Sequence, residues 1–167
     1  GPTYSLQPLP TVVSGYRNVA DKANITATNA AEGSDVSALN DGIFKSLDIA
    51  PTPEFVMGSG TSTITLTFDE AVTARAIMIY NSYYYDTAFV QIARVEIDYV
   101  NGKKTETAVI DNLKFDWDNL VKSEYLSIGT AAIAEFYEMQ INKITITVNC
   151  PQGADNVAIN EIVVLGK

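Results

Sequence analysis

The sequence predicts an all-β domain, a two-sheet antiparallel β-sandwich or jelly roll, and three observations carry that prediction. Short apolar segments recur along the chain, separated by Gly, Pro, Asn and Asp. Where their pattern is clean it has a period of two, which places alternate side chains on opposite faces of a strand. No repeated sequence unit is present, which sets aside propellers and solenoids. At 167 residues, 47% hydrophobic and 19% charged, the chain suits one domain with a proper core rather than a disordered segment.

Residues 1–15, with Pro2, Pro8, Pro10 and Gly15, read as an extended lead-in or interdomain linker, because proline removes a backbone donor and fixes φ. The clearest strand is Ser62 to Phe68, where Ile64, Leu66 and Phe68 alternate with threonines. Ala76 to Tyr80 is a short apolar run suited to a buried strand. Arg94 to Val100 alternates Val95, Ile97 and Tyr99 with Arg94, Glu96 and Asp98, and Asn101-Gly102 supplies turn residues for a hairpin into Thr105 to Ile110. Lys143 to Val148 and Ala158 to Leu165 complete the set. Ser127 to Met139 satisfies neither the helical nor the strand period, and Gly129 opposes a long helix, so it reads as strand and loop.

Composition removes several function classes. Eleven Lys and Arg against twenty Asp and Glu give a net charge of −9, which would be repelled by nucleic acid and by anionic membranes. No apolar stretch approaches the ~20 residues of a membrane span. Histidine is absent, and with it the commonest general base and zinc ligand. The single cysteine, Cys150, forms no intramolecular disulfide and reads as a small core hydrophobe. Glycine-rich phosphate loops are missing too. Asp116 and Asp118 could form an acid/base pair of the kind used in glycoside hydrolysis, but nothing singles them out, and the chain reads as a binder rather than an enzyme.

Several short motifs stand in a telling order: Asn18-Val19-Ala20 to Ala27-Thr28, Ala38-Leu39-Asn40-Asp41-Gly42, Thr63 to Phe68 with Ala71 and Val72, Ala76 to Tyr80, Arg94 to Gly102, and Ala158-Ile159-Asn160-Glu161-Ile162 with Gly166. Together they resemble discoidin domains, also called coagulation-factor type C domains, of the galactose-binding-like superfamily, and are similar to bacterial family 32 carbohydrate-binding modules. The resemblance covers about three quarters of the chain and implies an eight-stranded jelly roll over residues 16–167. It also implies a structural Ca²⁺ held by Asp41 and Glu161 with nearby carbonyls, Ser46 standing at the family's hydroxyl position. The sequence departs from the family where Asp48 replaces a frequent Trp and Lys45 a frequent Asn or Asp. That lysine would bring an ammonium close to any bound cation.

Two aromatic segments are candidate ligand contacts. Tyr83-Tyr84-Tyr85 follows the Ala76 to Tyr80 strand, and three successive tyrosines cannot all enter one core. They stack on sugar rings and add hydroxyl hydrogen bonds if they form a loop, or pack on the sandwich edge if they continue the strand. Trp117, the only tryptophan, is a binding contact or a core anchor. The expectation is therefore a noncatalytic glycan-binding or targeting module, monomeric within a larger bacterial protein. The resemblance implies a secreted, periplasmic or cell-surface setting. A structural spacer or protein-interaction domain without sugar binding is the alternative.

Overall fold

The computed structural model describes residues 15–46, 53–89, 91–115 and 130–167. They form eight strands, β1 Arg17–Asn18, β2 Ala23–Ala27, β3 Phe55–Met57, β4 Thr61–Asn81, β5 Gln91–Asn101, β6 Lys104–Lys114, β7 Ala131–Asn149 and β8 Val157–Gly166, with only short 3₁₀ turns between. Every strand pairing is antiparallel, and no helix among the described residues is long and apolar enough to cross a membrane.

Two long strands make the sandwich. The first half of β4 pairs with β2 and with the second half of β7, which also pairs with β5, and β5 with β6. The second half of β4 pairs with β8 and with the first half of β7. Between the halves the β4–β7 register shifts after Thr67 and again after Ala74. Such bulges bend a strand and increase its twist, so β4 and β7 pass from one layer to the other without ending. The sequence separates Ser62 to Phe68 from Ala76 to Tyr80 because Asp69 and Glu70 look like turn residues. In the structure they sit exposed at the bend of a single strand.

The period-two faces meet in the common core. Ile64, Leu66 and Phe68 of β4 join Val95 and Ile97 of β5, Ile144 and Ile146 of β7, and Ile162 and Val164 of β8. Strand β8 is buried along its whole length, which explains its nearly unbroken apolar run. Its other face, Val163 and Leu165, packs with Ala76, Met78 and Tyr80 beneath Tyr16 and Phe44. Cys150 is half-buried against the main core. The β5–β6 hairpin turns at Gly102-Lys103, with Asn101 paired to Lys104 and Gly102 at φ +64°, the left-handed conformation that glycine adopts without strain.

The segment from Ala131 to Met139 is strand, the first half of β7. Opposite Arg75 the pairing jumps from Ala76–Glu135 to Ala74–Met139, so residues 136–138 bulge outward and the period of two is lost. Ser127 to Gly129 lie outside the described residues, as does the lead-in up to residue 14.

Candidate functional site

One end of the sandwich collects the polar residues that the apolar strands cannot explain. The turn Asn40-Asp41-Gly42 follows a 3₁₀ segment, Val36–Leu39, whose Asp35 carboxylate accepts from the Ser37 N–H. Gly42 takes φ +76°, and the Asp41 carboxylate accepts from the Ile43 N–H at 2.9 Å, an Asx-type turn that aims the chain back toward β8. There the Gly42 N–H donates to Glu161 Oε2 at 2.7 Å. Asp41 and Glu161, 120 positions apart in sequence, thus face one small volume.

Lys45 fills that volume. Its side chain is 1% exposed, and the three N–H groups of its ammonium are shared among four acceptors, the Ala38 carbonyl, Asp41 Oδ1 at 2.9 Å, the Asn160 carbonyl at 3.0 Å and Glu161 Oε1 at 3.0 Å. Glu161 is fully buried, and the Asp41 carboxylate is a quarter exposed. Burial pushes the Glu161 carboxyl up, to about 8, and Asp41 adds to this, while the Lys45 ammonium and the Gly42 N–H pull the other way. Ser46, the next residue, is half-buried. Two carboxylates and two carbonyls suit a hard cation, but here they surround an ammonium, and a calcium ion requires the same oxygens at ~2.3–2.6 Å. The donor set as it stands does not fit calcium.

Asn160 carries the arrangement onward. Its side chain is latched to the Lys45 backbone in both directions, accepting from the N–H and donating to the carbonyl, each at 2.9 Å, and it donates to Glu54 Oε2 at 2.6 Å. Glu54 is buried and accepts twice more, from Ser82 Oγ at 2.7 Å and from the Tyr83 N–H at 2.6 Å. Burial pushes its carboxyl up, opposed by those three hydrogen bonds and by the Lys45 charge. Ser82 Oγ in turn accepts from the Tyr84 N–H at 3.1 Å and shares a hydrogen bond with the Thr87 hydroxyl. The tyrosine segment is therefore a loop, held from below by a buried carboxylate and closed by the short 3₁₀ turn Tyr85–Thr87.

Within that loop the three tyrosines differ. Tyr83 is half-buried and packs edge-to-face on Tyr84 at 5.4 Å. Tyr84 is 43% exposed and Tyr85 78%. Trp117 lies outside the described residues. Phe115 packs on Phe89 and bridges to Ala132, while the Asn81 N–H donates to the Thr130 carbonyl and the Asn81 side chain to the Phe89 carbonyl. The structure thus joins Asp41 and Glu161 through Lys45, and connects them to the tyrosine loop through two residues absent from the sequence-based candidates, Glu54 and Asn160.

No protein-family model matches the chain, and no curated protein matches it in sequence. Solved structures do match in shape. A family 32 carbohydrate-binding module of C. perfringens NanJ in complex with galactose aligns at a TM-score of 0.58, with 14% identity over 87% of this chain and 95% of that one. The chain has the fold of discoidin-like carbohydrate-binding modules. A mutant lectin-binding domain of lectinolysin in complex with Lewis b aligns at 0.62, with 11% identity over 90% of this chain and 96% of that one. The fold also recurs as a quarter of a larger chain, since a Ruminococcus gnavus GH29 fucosidase in complex with fucose aligns at 0.58 and 16% identity, covering 90% of this chain and 26% of the enzyme.

Proposed function

We propose that the chain is a noncatalytic glycan-binding module whose sugar contacts come from the Tyr83–Tyr85 loop, with Tyr85 as the main stacking platform, Tyr84 beside it and Trp117 as a further aromatic contact. The observation that carries this reading is the pairing of exposure with anchorage. Tyr85 is largely exposed, yet the backbone just before it is tied to a buried carboxylate. A preorganised aromatic face loses little freedom on binding, and its apolar surface matches the C–H face of a pyranose. The shared fold supports the class of ligand, since the two matched modules named above are in complex with galactose and with Lewis b. An exported setting, and a place as an accessory domain of a larger bacterial protein, accompany this reading. The match to a quarter of the fucosidase supports the latter.

A glycan array identifies the best ligand, and Tyr85→Ala is then expected to lower its affinity by about 1–3 kcal/mol, roughly 5- to 150-fold, while stability changes by less than about 0.5 kcal/mol. Retention of no glycan, together with capture of a protein partner, would favour an interaction or spacer domain instead.

A further inference from the structure

We propose that the Lys45 ammonium stands in the place of the structural divalent cation that this fold's Asp41–Glu161 arrangement implies, so that the domain carries its own cation and is stable without calcium. The proposal rests on geometry alone. Nζ lies 2.9–3.0 Å from Asp41 Oδ1, Glu161 Oε1 and the Asn160 carbonyl, with the Ala38 carbonyl as fourth neighbour. This is a mixed carboxylate and carbonyl shell of the kind a hard cation takes. The ammonium already holds the position between those oxygens, and a second positive charge drawn to them would be repelled at close range.

Withdrawal of the ammonium is opposed as well, because it would leave Glu161 and the Asn160 carbonyl buried without their donor, while the Asn160 side chain holds the Lys45 backbone in place. A surface lysine that swings in and out has no such latch. Lysine and metal therefore compete for one position, which yields a gain-of-function test besides the usual loss. The same shell also borders the tyrosine loop through Asn160 and Glu54, so the tethered cation helps position that loop.

Thermal unfolding of the unmodified chain, first stripped with chelator and then given millimolar calcium, is expected to show one unchanged melting temperature. Lys45→Met keeps the apolar stem but leaves the buried Glu161 carboxyl and the Ala38 and Asn160 carbonyls without their donor, and should lower that temperature by roughly 10 °C with or without calcium. Lys45→Ser vacates the shell, so its melting temperature should be low in chelator and should rise when calcium is added, as binding to the native state alone requires. A calcium-dependent rise in the unmodified chain that Asp41→Asn removes would overturn the proposal. So would a Lys45→Met protein as stable as the parent, or a Lys45→Ser protein indifferent to calcium.

Discussion

Glu54 shows how much one buried side chain can hold together. It accepts from a side-chain amide on β8 and from a hydroxyl and a backbone N–H on the adjacent residues Ser82 and Tyr83, and so ties together three parts of the chain, its own included. Glu54→Leu removes both acceptor oxygens and leaves the Asn160 amide and the Tyr83 N–H without this partner, whereas Glu54→Gln can keep both on its one oxygen and turn its NH2 onto the Ser82 hydroxyl, which also accepts. Leaving a buried donor unsatisfied costs about 1–3 kcal/mol, readable in chemical denaturation. The sign of the pH dependence follows from the upward displacement of this carboxyl from 4.5. The folded state keeps the proton to higher pH than the unfolded state, so folding takes up protons above pH 4.5 and stability falls as pH rises through that window. Glu161 acts in the same sense, over a window reaching about 8. The parent is thus expected to lose stability from pH 5 toward pH 8, as measured by the denaturation midpoint, and Glu54→Gln to show a shallower decline. A parent slope of opposite sign would contradict the placement of these carboxyls. Asn160 and Glu161 did leave a mark in the sequence, because two adjacent polar residues interrupt a strand otherwise apolar from Val157 to Leu165. A polar group in a buried run needs a partner. Which partner it finds is a matter of tertiary contact, and neither Glu54 nor the latch on Lys45 can be found by spacing.

At the scale of elements, the alternating faces of β4, β5 and β7 were legible because burial on one side leaves a period of two. Continuity was not. Exposed Asp69 and Glu70 resemble a loop, and only the pairing with β7 on both sides shows that the strand goes on. The first half of β7 lost its period for a related reason, the three residues that bulge opposite Arg75 and leave Tyr137 almost wholly exposed. Gly166 presents the converse case, a small residue whose importance lies in closeness rather than in turning. A methyl group there would collide with the Thr73 carbonyl oxygen and press on Val19. The colliding atom is backbone, hydrogen-bonded to the Lys167 N–H at 2.8 Å, and cannot rotate away. Gly166→Ala is therefore expected to destabilise by about 1–3 kcal/mol in urea unfolding, whereas Gly153→Ala, which meets no neighbour and only strains φ, should cost less. Equal losses would mean that the β8 edge has slack the structure does not show.

For the molecule as a whole, the two bent strands mean that the β4–β7 ladder is common to both layers. Half of β4 and half of β7 belong to each, and the core between them is continuous. Ile146→Ala in one layer and Ile162→Ala in the other should each cost about 2–5 kcal/mol and shift one and the same transition, monitored by circular dichroism and tyrosine fluorescence together. Separate transitions in either variant would show that the layers unfold independently.

The edge where the described chain enters and leaves has a mechanical reading. Strand β1 lies antiparallel on β8, Arg17 against Gly166 and Asn18 against Leu165, so the two ends emerge side by side. Tyr16 adds a clasp, its hydroxyl on Glu138 and its ring beneath the Lys167 ammonium at 4.8 Å. Tension between those ends would open this short ladder one rung at a time, as a zipper opens, instead of shearing all its hydrogen bonds together. The clasp would yield at low force, while the long β4–β7 ladder, which carries neither end, would keep the sandwich closed.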